Sequence, residues 1–395
     1  MTDPLENPIE LSGRLLLGGR FVPGRLTIVG ERIESVTPQP IEAAGGDLPL
    51  IAPGLVDLHI HGYAGQSPLE DLQALCDGLA RAGTTAFQPT LFPDEPTSLG
   101  EHAQRVMRKA EGLSGGARIV GLHLEGPFVN PKKAGALPPE CLAEPSLQAL
   151  QAILGSSTGD GRGIRTMTIA PELSGADELI AELVRSGVRA SLGHSLSTWS
   201  EASAAARAGA DGATHLFNAM GPVHHREAGL ANFALSDDAL YAEIIGDLAH
   251  VSAESFQLAL RARGVNGLAL VSDALWAAGT GCDVFHSHGR RCFVRDGAIW
   301  THPFKTDAPG EQDTESVPIL TGASASQFEA CGRLVAGGVC TAAEALTMAG
   351  ETPARALGLE GEIGGLRVGA RADLIVVDEG QWGLSCVYVG GKSVV

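Results

Sequence analysis

Eight short, apolar, β-rich segments recur through the middle of this chain, and helical patterns fall between most of them. They are residues 55–61, 84–90, 118–125, 164–170, 188–194, 212–218, 241–247 and 268–274. Eight strands, each followed by a helix, close into a parallel barrel more readily than they lie in an open doubly wound sheet, which is the alternative. The expected fold is therefore α/β, a (β/α)8 TIM-like barrel. Several helix starts are legible. Ser67-Pro68-Leu69-Glu70, Thr198-Trp199-Ser200-Glu201 and Thr341-Ala342-Ala343-Glu344 read as capping boxes, and Gly83 ends the first of these helices.

The two ends of the chain read differently. Residues 11–36, 372–377 and 386–395 are short, alternating and punctuated by glycine. Neither end has enough strands for a stable sheet alone, so both are expected to join in one small β-domain. That divides the chain into residues 1–52 and 366–395 in the small domain and 53–365 in the barrel. Residues 279–318 are the least regular, with hairpin material at 282–295 and a polar, acidic surface loop at 306–316.

Composition excludes some function classes. The 395 residues are 44% hydrophobic and 19% charged, enough for a large core, and the net charge is −18. That charge disfavours nucleic acid and anionic membranes as partners, though a local arginine can still hold an anionic small molecule. The seven cysteines are odd in number, scattered, and never spaced C-x-x-C, which argues against a disulfide framework or a zinc knuckle. Met1-Thr2-Asp3-Pro4-Leu5-Glu6 lacks a basic stretch followed by an apolar one, and no apolar run approaches membrane-spanning length. A cytoplasmic protein is the expectation.

The chemistry-bearing residues gather at strand ends. In Asp57-Leu58-His59-Ile60-His61 the side chains alternate, so Asp57, His59 and His61 share one face. Paired imidazoles on a rigid strand suit a divalent metal. Glu125, His194, His215 and Asp273 close further strands, and in a closed parallel barrel such ends converge on one face. Each residue alone reads as well as a cap or core group. Together, buried acids and imidazoles are costly unless paired or metal-bound. His123 shares a face with Glu125 and reads equally as ligand, support or packing.

These stretches resemble the amidohydrolase superfamily, and within it the N-acetylglucosamine-6-phosphate deacetylase family. The matching motifs are Pro53-Gly54-Leu55-Val56-Asp57-Leu58-His59-Ile60-His61-Gly62, Gly121-Leu122-His123-Leu124-Glu125-Gly126-Pro127-Phe128 and Leu192-Gly193-His194-Ser195. They continue with Thr214-His215-Leu216-Phe217-Asn218-Ala219-Met220, Arg226-Glu227-Ala228-Gly229 and Leu270-Val271-Ser272-Asp273-Ala274. The resemblance implies a barrel beside a small β-sandwich built from both termini. It implies that Glu125, His194 and His215 hold one divalent metal, Zn2+ or Fe2+. His59 and His61, with Glu125 bridging, hold a second in some members, giving one or two ions per subunit. Asp273 matches the acid/base that takes a proton from the attacking water and passes it to the leaving amine. Asn218, the Ala219 backbone amide, Arg226 and His250 match contacts to the phosphate and sugar of a small amino-sugar substrate. The arginine matching Arg226 reaches across from a neighbouring subunit, which implies a homodimer.

Two departures bear on the substrate. The family usually carries Lys-Gly-x-His after Gly-Pro-Phe, its histidine helping to polarise the carbonyl. Here Lys132-Lys133-Ala134-Gly135-Ala136-Leu137 puts a leucine, which donates no hydrogen bond, in that place. Either His224 or His225 substitutes, or the substrate differs. Asp247-Leu248-Ala249-His250 likewise replaces the usual Asp-Gly-x-His. Three readings remain open on sequence alone: an amino-sugar deacetylase, a hydrolase of another N-acyl or cyclic amide on the same barrel, and a non-catalytic relative. Glu125 stands where cyclic-amide hydrolases commonly use a carboxylated lysine, and the full ligand set with Asp273 disfavours the third.

Overall fold

The computed structural model describes residues 7–39, 48–155, 163–287, 289–303 and 312–395. Residues 1–6 and residues 306–311 of the expected acidic loop lie outside them.

Eight strands run in sequence order along the central sheet, all parallel, and a ninth, Arg118–Ile119, pairs with the second of them. The eight are Leu55–Ile60, Thr84–Leu91, Leu122–Leu124, Ile164–Ile169, Arg189–Leu192, Gly212–Ala213, Tyr241–Ile245 and Leu268–Val271. The first, second and last bury every residue, as strands covered on both faces must. Helices pack around the outside. Ala176–Arg185 shows how: Leu179, Ile180 and Leu183 turn inward along one stripe, while charged residues occupy the other face.

Three expectations need adjusting at their edges. The segment expected at 118–125 splits into Arg118–Ile119 and Leu122–Leu124. Gly121 breaks it at φ +102, with Arg165 packed against its α-carbon. The segment expected at 212–218 keeps only Gly212–Ala213 as strand. Beyond it the backbone turns through left-handed conformations at His215, Phe217 and Ala219, which no ladder accommodates. Ser67 does not start the first helix. Glu70 does reach back to the Ser67 amide, 3.2 Å, but this closes a turn, and the helix Leu72–Arg81 begins behind Asp71, whose carboxylate caps Ala74. The boxes at Thr198 and Thr341 cap their helices as expected.

The two chain ends meet in one seven-stranded sheet. Leu50–Pro53 lies between Ile9–Leu17 on one side and Leu374–Asp378 on the other. Its apolar core includes Leu15, Leu26, Ile28, Ile33, Ile51 and Leu374. The irregular segment after the last barrel strand is more ordered than its sequence suggests. Val284–Ser287, Arg290–Arg295, Ala298–Thr301 and Ile319–Ala323 make a four-stranded antiparallel sheet, of which the sequence showed only the first hairpin.

The barrel closes between its first and last strands, where side chains supplement the backbone. Asp273 N–H donates to the His59 carbonyl and His61 N–H to the Ala274 carbonyl, each at 2.9 Å. Deeper in, the Asp57 carboxylate accepts from Ser272 N–H at 3.2 Å. From outside, the buried Gln327 amide donates to Val56 O on the first strand at 3.0 Å and to Leu270 O on the last at 2.7 Å. Replacing Gln327 with leucine leaves both buried carbonyls short of a donor. Unfolding should then become easier by about 2–3 kcal/mol, the scale of stranding buried polar groups. A urea melt midpoint within error of wild type would show that the seam does not need this amide.

Candidate metal centre

Six of the expected residues converge at the C-terminal mouth of the barrel: His59, His61, Glu125, His194, His215 and Asp273, all buried. Glu125 is the hub. Its Oε1 lies 3.0 Å from both His194 Nε2 and His215 Nε2, and 3.6 Å from His59 Nε2. Its Oε2 lies 3.3 Å from His61 Nε2. Across the cluster, Asp273 Oδ1 stands 3.5 Å from His61 Nε2 and 3.7 Å from His59 Nε2. Two ligand sets share Glu125, His59–His61–Glu125 and Glu125–His194–His215, and a third group of close ligand atoms, His59–His123–Glu243, lies behind the first.

Local backbone geometry aims these groups. His194, His215 and Asp273 hold φ of +47°, +30° and +54°, a region most residues avoid at a cost of about 1–3 kcal/mol each. Neighbouring hydrogen bonds hold them there. Asn130 N–H donates to the His194 carbonyl at 3.0 Å, Leu216 N–H to the Glu243 carbonyl at 2.7 Å, and Ala323 N–H to the Asp273 carbonyl at 2.8 Å. Gly193 precedes His194 because a β-carbon there would sit 2.8 Å from that of Thr214.

Two of the four imidazoles have their tautomer set from behind; the Nδ1 atoms of His61 and His215 are buried without a partner among the described residues. A carbonyl only accepts, so His194 Nδ1–H must donate to Lys133 O, 2.7 Å away, leaving the Nε2 lone pair facing Glu125. His59 Nδ1 faces the Glu243 carboxylate at 3.2 Å, which turns the His59 Nε2 lone pair inward. His194 and His215 then bring Nε2 atoms to 3.0 Å of each other, an arrangement that repels unless a proton or a metal cation sits between. Ligand atoms on a tetrahedral zinc, each about 2 Å from the ion, stand about 3.3 Å apart. The spacings fit a divalent ion, and histidine and carboxylate donors suit Zn2+ or Fe2+.

The electrostatics agree. Burial opposes charge on His59, but Glu125, Glu243 and Asp273 outweigh it and push the imidazole up to about 10. His61 also rises, because Asp273 and Glu125 outweigh its burial. Burial alone would raise Glu125; the facing imidazoles hold it well below the usual carboxylate range. Asp273 is lowered in the same way by His61 and His59. The pocket is built to concentrate positive charge.

Hydrogen bonds engage both nitrogens of His123. Its Nδ1–H donates to Leu58 O at 3.2 Å and its Nε2 meets Thr168 Oγ1 at 2.8 Å, so both nitrogens are occupied. Burial and the neighbouring His59 push it down to about 3, which keeps it neutral. Hydroxyls continue the chain from Thr168 to Thr214 and Ser191.

The expected substrate contacts are more dispersed. His250 is close-packed, its Nδ1 on Asp247 Oδ2 at 2.7 Å. Asp247 Oδ1 also takes the Ala249 and His250 amides, both at 2.9 Å. Leu248 in this turn holds φ +63°, so leucine adopts the conformation for which the family pattern supplies glycine. The Asn218 amide folds back toward the carbonyls of His215 and Leu216. Ala219 accepts from Ser195 N–H at 3.0 Å. Arg226 is exposed and is not drawn into the cluster. His224 Nδ1 accepts from Glu227 N–H. Leu137 is buried among Val129, Ala134, Phe92 and Leu142, and Phe92 stacks on the His61 ring at 3.8 Å.

Sequence reasoning missed two residues that hold the site. Glu243 is one, and its signal was available: it is the only charged residue in the apolar strand Tyr241–Ile245. Glu172 is the other. It gathers Ser195 Oγ, Leu196 N–H and Asn130 Nδ2 at 2.7, 2.6 and 2.9 Å, bracing the loop that carries His194. Nothing in Ala170-Pro171-Glu172 announces that role.

Residues 50–394 match the Amidohydrolase family. The chain belongs to that family. Among amidohydrolases it is 31% identical to the N-acetylgalactosamine-6-phosphate deacetylase of Escherichia coli O157:H7, covering 90% of this chain and 91% of the relative. It is 32% identical to the human N-acetylglucosamine-6-phosphate deacetylase, covering 96% and 94%. Its structure superposes on that of the Mycobacterium smegmatis N-acetyl-D-glucosamine-6-phosphate deacetylase in complex with N-acetyl-D-glucosamine-6-phosphate. There the TM-score is 0.85 at 29% identity, over 99% of this chain and all of the other. A prolidase at 16% identity and TM-score 0.54 shares the fold.

Metal binding should be visible without substrate. Glu125, Glu243 and Asp273 keep His59 protonated up to about 10 in the metal-free protein, so an incoming ion must displace that proton. Apparent affinity should therefore rise between pH 7 and 9, with proton release seen by calorimetry in buffers of different ionisation enthalpy. Saturation at a hundred times Kd should add about 2.7 kcal/mol of stability, and Glu125→Ala should abolish the gain. A metal-free protein that melts like the loaded one would contradict the assignment.

Proposed function

We propose that this amidohydrolase removes the N-acetyl group from an amino-sugar phosphate, converting N-acetylglucosamine-6-phosphate to glucosamine-6-phosphate and acetate. The observation that carries this reading is the Glu125 carboxylate set between two imidazole pairs, with Asp273 facing it. The names of the relatives support the substrate class. A bound Zn2+ or Fe2+ would polarise the amide carbonyl and acidify the attacking water. His59, His61, Glu125, His194 and His215 would hold one or two such ions. Asp273, kept ionised by His61 and His59, takes the proton from the attacking water and returns it to the departing amine. His250 is held by Asp247 and is raised by it against the effect of burial, so it presents an N–H to a sugar oxygen. Asn218 and the Ala219 amide contact the substrate beside it.

Arg226 reads the phosphate from the neighbouring subunit of a homodimer; a guanidinium suits a phosphate fork. Its exposure in one chain, away from the cluster, is what such a role requires. The reading places the enzyme in the cytoplasm. Among the described residues no helix is long and apolar enough to cross a membrane.

The deciding assay follows acetate release from N-acetylglucosamine-6-phosphate, its galactosamine epimer and the unphosphorylated sugars, beside ring opening of a cyclic amide. Turnover of the cyclic amide alone would reject the proposal. The panel includes the galacto epimer because the E. coli relative is named for it.

Two variants test the assigned roles. Asp273→Asn keeps the shape but cannot accept the proton, so kcat should fall by about 10²-fold or more with metal retained. Near-normal turnover would reduce Asp273 to a cap. Arg226→Met should cost roughly 2–4 kcal/mol in kcat/KM for the phosphorylated sugar and little for the plain one. Mixing the two inactive variants should restore partial activity through hybrid dimers. Equal losses on both sugars in Arg226→Met would remove this residue from phosphate recognition.

A further inference from the structure

Glu243 lies on the seventh barrel strand, Tyr241–Ile245, and is buried with its neighbours. A carboxylate in an apolar strand is costly unless its lone pairs are satisfied. Its side-chain hydrogen bonds go to two residues of the metal centre. Its Oε2 sits 3.2 Å from His59 Nδ1 and 3.4 Å from the His215 amide. Its backbone carbonyl takes the Leu216 N–H at 2.7 Å, directly after His215 in its strained conformation. Among the described residues Glu243 is the hydrogen-bond partner of His59 Nδ1, and the opposite nitrogen faces His61 Nε2, Glu125 and Asp273. The burial that would draw charge off His59 is countered in part by this same carboxylate.

We infer that Glu243 is a positioning residue that fixes the His59 tautomer and ring angle, and ties one ligand of each histidine pair to the same strand. It does not itself reach the reacting atoms. Its carboxylate anchors the His59 side chain, while its backbone anchors the turn that carries His215. The first pair therefore depends on the Glu243 side chain and the second mainly on its backbone. This rests on the metal-centre reading above and adds to it that the two sets are mechanically linked through one residue outside both.

The test uses Zn2+ alone, with affinity measured by chelator competition and content by elemental analysis. Wild type is measured first; a wild type that holds no zinc overturns the metal-centre reading and this inference with it. In Glu243→Leu, zinc affinity at the His59–His61–Glu125 set should fall by about 10- to 100-fold, the range for losing a carboxylate behind a histidine ligand. The Glu125–His194–His215 set should change little. Glu243→Gln keeps an oxygen for Nδ1–H and should restore most of the loss. Made in a His59→Asn background, Glu243→Leu should cost nothing further at the first set, because its effect runs through His59. An equal cost with and without His59, or wild-type affinity in Glu243→Leu, overturns the inference while leaving the metal centre standing. Should the leucine variant fail to fold, nitrogen-15 spectra of the wild-type histidines decide: His59 carrying its proton on Nδ1 is expected, and a proton on Nε2 in the zinc-loaded protein overturns it.

Discussion

One buried carboxylate sits at the centre of this molecule. Glu125 has four imidazole nitrogens within 3.6 Å and almost no water. A charge so placed is tolerable only among compensating groups, and removing one partner of such a cluster costs several kcal/mol. Those partners come from the first, fifth and sixth strands, and Glu125 itself follows the third. The barrel must close with all of these strand ends level, or the carboxylate is stranded. The supporting shell of Lys133 O, Glu172, Glu243 and His123 serves the same end, since each sets a tautomer or braces a turn that delivers a ligand.

The strand ends spend conformational energy in a consistent way. At His194, His215 and Asp273 the chain leaves the ladder and enters the left-handed region in one residue. A regular strand would carry the next side chain to the opposite face. The sharp turn keeps the functional group at the mouth and sends the following backbone outward, where it meets Asn130, Glu243 and Ala323. The strain is local, and the hydrogen bonds that offset it come from a loop, a barrel strand and the antiparallel sheet, which makes each ligand's position a property of the whole fold.

Much of this was legible in the sequence, for physical reasons. Parallel barrel strands are buried on both faces, so they stand out as apolar runs, and all eight appeared in order. Imidazoles and acids at their ends stood out because burial makes them expensive. Alternating segments at both termini pointed to a shared sheet, and both ends do pair around Leu50–Pro53. What escaped was whatever depends on backbone carbonyls or on distant partners. Lys133 acts through its carbonyl, which no side chain reports. Glu172 matters because three donors from other loops converge on it. The Ser67 box was formed but closed a turn, because Asp71 offered a better cap four residues on. The sheet at 284–323 hid behind glycine and polar residues whose pairing is antiparallel and local. Leu137 stood out in the sequence, and the structure adds where it goes: into an apolar cluster that shares Phe92 with the His61 ring.

The seven-stranded sheet of the termini has a consequence for the order in which the protein can be made. Leu50–Pro53 runs directly into the strand that carries His59 and His61, yet one of its two neighbours, Leu374–Asp378, comes from the far end of the chain. At ribosomal speeds of about 5–20 residues per second, roughly a quarter-minute to a minute separates their synthesis. Through that interval the lead-in to the first barrel strand has an unpaired edge exposed to other nascent chains. The segment that covers this edge is thus translated long after it, and a chain interrupted before Leu374 would hold a nearly complete barrel whose entry strand is still open to aggregation.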